Sequence, residues 1–120
     1  MGGENPIIEW KELSGRSCLK FIFKGVFLES DALPAIEEWK KAFQYKPGEK
    51  IILIWDCAEM KGYDTLSRIA WQSALKELME QIDSIWLITN RSLIKVGARV
   101  MSIFASIPIK VVSSESQIQL

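Results

Sequence analysis

The sequence contains no histidine. That absence excludes histidine-based triads, histidine-ligated metal centres and the commonest general base. Cysteine is nearly as scarce: Cys18 and Cys57 are the two in the chain, and they lie far apart. Neither a secreted disulfide framework nor a zinc site is expected from such a pair, and two free thiols suit a reducing cytoplasm. No apolar run approaches the roughly 20 residues that a bilayer-spanning helix needs, so an integral membrane protein is not expected. The opening Met1-Gly2-Gly3-Glu4-Asn5-Pro6 is short and polar, unlike a secretory leader, and Pro6 stands where a myristoylation start requires Ser or Thr. Excess charge is missing too, with 15 basic residues against 15 acidic. A basic face for nucleic acid is therefore not favoured. A net charge of zero also gives little protection against self-association, which leaves a homodimer open.

What the chain does have is apolar material: 48% of its 120 residues are hydrophobic. That is enough for the core of one domain spanning residues 1–120, without help from a disulfide or metal. Ile7–Leu13 and Cys18–Lys24 read as strands, and Ser14-Gly15-Arg16-Ser17 supplies a turn, so the pair predicts an antiparallel hairpin. Ser30 or Asp31 is placed to cap a first helix, with Pro34 in its first turn and Leu33, Ile36, Trp39 and Phe43 as its inner stripe. Pro47-Gly48 stops it. Ile51-Ile52-Leu53-Ile54-Trp55 is continuously apolar, as a strand covered on both faces should be. A polar loop, Asp56 to Asp64, precedes a second helix with an apolar stripe of Leu66, Ile69, Ala70, Ala74, Leu78 and Ile82. Ser84–Thr89 is another buried strand. Ser92 is placed to cap a third helix, whose inner face is expected to be Leu93, Val96, Val100, Ile103 and Phe104. Ile107–Val112 is the last strand, put at an edge by Pro108, and a helical stub begins near Ser114.

Strands that alternate with helices demand crossover connections. The expected fold is therefore α/β: one mixed, mostly parallel five-stranded sheet with an N-terminal antiparallel hairpin and three to four helices. This order, together with Ile51–Asp56 and the stretch Tyr63-Asp64-Thr65-Leu66-Ser67, resembles the STAS domain of the anti-sigma factor antagonists, and most closely its SpoIIAA-like group. The resemblance extends from Ile7 to Val112. It implies a non-catalytic regulatory or protein-interaction module of a bacterial cytoplasm. In the family, an Asp-Ser-Ser-Gly-like stretch opens the helix after the central strand, and the second serine is phosphorylated in partner-switching antagonists. Here Asp64 matches the aspartate, Thr65 the first serine, Leu66 the second and Ser67 the glycine. Leu66 cannot carry a phosphate, so that switch does not transfer. The relation of the fold to CRAL-TRIO lipid-transfer proteins implies the alternative of a carrier for a small hydrophobic or lipid-like ligand.

The candidate site is the segment Asp56, Glu59, Met60, Lys61, Gly62, Tyr63 and Asp64, at the carboxyl end of a buried strand where open α/β sheets bind ligands. The N-terminus of the second helix would favour a negative group there, Lys61 adds charge, and Met60 and Tyr63 offer apolar surface. The plain alternative is that Asp64 caps the helix and Gly62 serves a turn. Thr65 and Ser67 are candidate phosphorylation sites, weighed against two ordinary hydroxyls in a first helical turn. Cys57 is weighed as a reactive thiol against a packing cysteine. Trp55 and Trp86 are expected to pack in the core or on the sheet, and Trp39 and Trp71, with Met60, Met79 and Met101, are weighed as the lining of an apolar pocket against simple core. Asp56, Glu59 and Asp64 are the carboxylates that an enzyme would have to use, but nothing in their spacing defines a reaction. No catalytic residues, metal or cofactor are assigned.

Overall fold

A computed structural model describes residues 4–120. Strand β1 (Ile7–Leu13) turns into β2 (Arg16–Phe27) through Ser14 and Gly15, which both have positive φ, at 51° and 76°. This is the backbone of a type I′ hairpin, whose twist matches that of the strands it joins, and glycine takes its second position without strain. Pairing runs antiparallel from Ile7↔Ile22 to Leu13↔Arg16. Helix α1 (Glu29–Gln44), strand β3 (Ile51–Tyr63), helix α2 (Thr65–Leu78), strand β4 (Ile82–Ile88), helix α3 (Ser92–Ala105) and strand β5 (Ile109–Val112) follow. Single 3-10 turns occupy Met79–Gln81 and Glu115–Gln117.

The sheet order is β1-β2-β3-β4-β5, and every pairing after the hairpin is parallel. The expected mixed five-stranded α/β architecture is the observed one, with β5 at an edge. Because the strands lie side by side in chain order and crossovers are right-handed, all three helices fall on one face. The main core confirms this: it joins α1, α2 and α3 to Phe21, Phe23, Leu53, Trp55 and Ile85. Ile51, Leu53 and Trp55 face the helices, whereas Ile52 and Ile54 face the other way. Cys18, Trp86 and Ile88 join them in a second, smaller cluster, against which Leu13, Val112 and Ile118 pack.

The C-terminal segment therefore covers the helix-free face, and ion pairs hold it there. Glu115 meets Lys11 and Lys20, each at 2.6 Å. Burial alone would raise the Glu115 pKa, but its hydrogen bonds to the two ammonium groups outweigh burial and hold it below the usual carboxylate range. Glu115→Gln is expected to cost roughly 1 kcal/mol, as partly exposed ion pairs do. It should also raise the rate at which a protease removes the C-terminal segment, followed by mass spectrometry. An unchanged cleavage rate would show that Ile118 packing alone holds the segment.

Several expectations are corrected. Helix α1 starts at Glu29, ahead of the expected cap; the Asp31 carboxylate accepts the Leu28 N–H at 3.0 Å, and Pro34 falls in the second turn. Leu33 is exposed and Ala32 and Ala35 are buried in its place. In α2, Leu66 and Ile69 are exposed, while Trp71, Ala74 and Leu75 face the core. The expected inner face of α3 is its outer face. Asp56 to Tyr63 is not a loop but the second half of β3. Past the Asp56↔Ile88 pair, β3 leaves β4 and continues alongside β2, which itself runs past Gly25 to Phe27 and supplies the ladder.

Candidate functional site

The extended β3 distributes the predicted site residues rather than gathering them. Asp56 follows the parity of Ile52 and Ile54 onto the helix-free face, where its carboxylate lies 3.8 Å from Lys20 Nζ and also accepts the Ala58 N–H at 3.1 Å. Register shifts between Ile22 and Lys24, and again between Gly25 and Val26, change the alternation. As a result Cys57 and Met60 both join the core on the helix side, with Tyr63 packed against it. Glu59 and Lys61 are exposed, and Gly62 is a buried strand residue opposite Val26. The three carboxylates thus stand in separate surroundings.

Asp64 closes the strand and caps α2. Its carboxylate accepts the Ser67 N–H at 2.7 Å and the Glu29 N–H at 3.3 Å, so it ties the starts of two helices together. The bond from the Ser67 backbone is the main reason that its pKa falls below the ordinary value. At the positive end of α2 the Ser67 N–H is therefore satisfied by the chain's own carboxylate. Ser67 is fully buried, its hydroxyl 3.0 Å from Phe27 O and 2.8 Å from Asp64 O, whereas Thr65 is exposed. Because the folded pKa of Asp64 is depressed, its contribution is complete above the unfolded carboxylate pKa and is lost as pH falls through the folded one. Asp64→Ala should lower the melting temperature at neutral pH, and the gap from wild type should narrow as pH falls through that window. A gap independent of pH would exclude the ionised cap.

Cys57 is a packing residue. Burial first, and then the neighbouring Asp56, drive its thiol pKa far above the ordinary range, which disfavours the reactive thiolate. The tryptophans form the densest part of the core. Trp71 meets Phe21, Phe23 and Phe27 edge-on, with ring centroids 5.4 to 5.7 Å apart, and lies 5.0 Å from Trp39. The indole N–H groups of Trp39, Trp55, Trp71 and Trp86 are buried without an acceptor among the described residues. Beside this cluster, Phe27, Trp55, Met60, Tyr63, Trp71 and Met101, with Arg68, line a partly open, largely apolar cavity of about 40 Å³. That is far below the roughly 300–1,000 Å³ of a site for a drug-sized ligand.

Helix α3 covers this cavity and carries the feature that sequence reasoning placed backwards. Ile94, Gly97, Ala98 and Ala105 are buried. A Cβ on Gly97 would collide with the Tyr63 hydroxyl, so glycine is what lets the helix settle against that ring. Leu93, Val96, Val100, Ile103 and Phe104 project outward with 45 to 75% of their surface exposed. Both sets follow helical spacing, and the available signal was size: small residues at 97, 98 and 105 mark the close-packed side. Lys95 and Arg99, also exposed, border the outward stripe one helical turn apart.

A comparison with solved structures places this architecture. The chain is similar to an uncharacterised protein of the DUF3478 family from Shewanella loihica, described as having a SpoIIAA-like fold, with a TM-score of 0.79 at 14% identity over 97% of this chain and 92% of the other. Neither the protein-family models nor the curated proteins contain a match. The protein is thus an α/β domain with the SpoIIAA-like fold, the class expected from its element order.

Proposed function

We propose that this protein is a non-catalytic STAS-like binding module that docks through the outward face of α3. The observation that carries this reading is the exposed stripe Leu93, Val96, Val100, Ile103 and Phe104. Keeping five large apolar side chains in water on one helix face has no packing rationale, and contiguous exposed apolar surface marks interaction sites. The scattering of Asp56, Glu59 and Asp64 supports a role without chemistry. A photoreactive residue tests the assignment: Ile103→benzoylphenylalanine in the native host should give a discrete crosslinked product, and the same change at the α1 surface residue Glu37 should not. Equal yields at both positions would overturn it.

A second reading, carriage of a small hydrophobic ligand, is favoured by the cavity behind α3. Its volume of about 40 Å³ is too small for an acyl chain unless α3 moves outward. Native mass spectrometry of protein purified without detergent distinguishes the two, because a carrier retains an adduct.

A further inference from the structure

We infer that the occupant of the α3 face is the anionic surface of a phospholipid bilayer, against which the helix lies flat. This rests on the docking reading above and names its partner.

The first ground is charge. Between Ser84 and Ser114 the chain has no acidic residue, but it has Arg91, Lys95, Arg99 and Lys110. None of these four forms an ion pair among the described residues, which is equally true of Lys24, Lys41, Lys46, Lys50, Lys61, Arg68 and Lys76; what sets the segment apart is that it contains no carboxylate. Lys110 lies over the Trp86 ring on the other face of the sheet, so Arg91, Lys95 and Arg99 are the cations that this segment brings to α3, and Lys76 of α2 joins them over the Phe104 ring at 4.9 Å. A chain with no net charge thus has one helix that carries cations and no carboxylate.

The second ground is the layering of that charge. Val96, Val100 and Ile103 follow one row of the helix with Leu93 and Phe104 beside it, and Lys95 and Arg99 run along the flank. On that flank Lys95, Arg99, Ser102, Ile103 and Val111 line a cleft of about 360 Å³ between α3 and β5, so cationic and apolar groups share one depression. A bilayer presents the complement, with phosphates directly above an apolar layer. At 14 residues, α3 is too short to cross a membrane but about 21 Å long, enough to lie in the interface.

Alternatives fit less well. Pairing two copies through α3 would bring Lys95 and Arg99 of both together with no carboxylate on either helix to offset them. A protein groove would need to match five projecting side chains in shape, whereas a fluid lipid surface adapts to them.

Co-sedimentation of the full chain with vesicles tests the inference. Vesicles of phosphatidylcholine containing about one quarter phosphatidylglycerol should bind at least about tenfold more strongly than phosphatidylcholine alone. Salt at about 0.5 M should abolish most of the difference. Ile103→Asp and the pair Lys95→Glu with Arg99→Glu should each reduce binding by about tenfold, and Glu37→Gln should not. All these positions are solvent-facing, and circular dichroism and melting confirm that the variants fold. Equal binding to both vesicle types, no response to the α3 substitutions, or no binding by folded protein would each overturn the proposal. If the probe at Ile103 captures a protein while vesicles fail, docking stands and the lipid assignment falls. If the probe captures nothing and vesicles fail, both fall.

Discussion

Trp71→Ala should remove about 3–5 kcal/mol of stability, the largest single loss expected in this chain. The indole is 3% exposed and sits where α2 meets both α1 and the sheet. Its ring contacts span β2 through Phe21, Phe23 and Phe27, α1 through Trp39 and β3 through Trp55. Truncation loses the transfer energy of a large aromatic and leaves a void that several rings would have to collapse into. Against a typical total of about 5–15 kcal/mol, that brings the domain close to unfolding. Urea titration measures it as a lower midpoint. Trp71→Phe should cost distinctly less, because it keeps a ring in the cluster and deletes an N–H that has no acceptor among the described residues. A loss below about 1 kcal/mol for Trp71→Ala would mean that the cluster is not the keystone of the helix–sheet interface.

Ile94→Ala should cost about 2–4 kcal/mol, while Ile103→Ala in the same helix should change stability by no more than about 0.5 kcal/mol. The two residues are chemically identical, and both lie within α3. Their difference is direction: Ile94 is 4% exposed and packs in the main core, whereas Ile103 is 75% exposed. Denaturant titration of the two variants reads the orientation of the helix as an energy. Equal losses would place the outward stripe in contact with something in the folded chain.

The strands were legible because their patterns are strong. Ile51–Trp55 is continuously apolar because both of its faces are covered, and Ser14-Gly15 supplies the turn chemistry that a tight hairpin needs. Asp64 as a helix cap was legible for the same local reason. Three features were not. The second half of β3 contains Asp56, Glu59, Lys61 and Gly62, which local propensity assigns to a loop. Its strand character comes from the long β2 beside it, a nonlocal partner. The candidate residues of this half-strand therefore divide between the two faces of the sheet, and among them Cys57, Met60 and Tyr63 line the cavity. The expected α2 stripe holds Ala70, Ala74 and Leu78, which do pack on the core, but also Leu66 and Ile69, which are exposed, and Ile82, which begins β4. Trp71 and Leu75 face the core instead, because bulk and periodicity alone do not rank two overlapping apolar arcs. Helix α3 was the extreme case. It is apolar around most of its circumference, so periodicity could not say which arc faces the sheet. Tyr63 decides it by lying where a side chain at position 97 would be.

Thiol labelling of the native protein tests that orientation most directly. Cys18 and Cys57 are both buried and should stay silent toward a maleimide. Ile103→Cys and Val96→Cys should then label at rates close to those of a free thiol, and Ile94→Cys should be slower by orders of magnitude, limited by opening of the fold. Rapid labelling at Ile94→Cys with protection at Ile103→Cys and Val96→Cys would turn α3 around and remove the docking face.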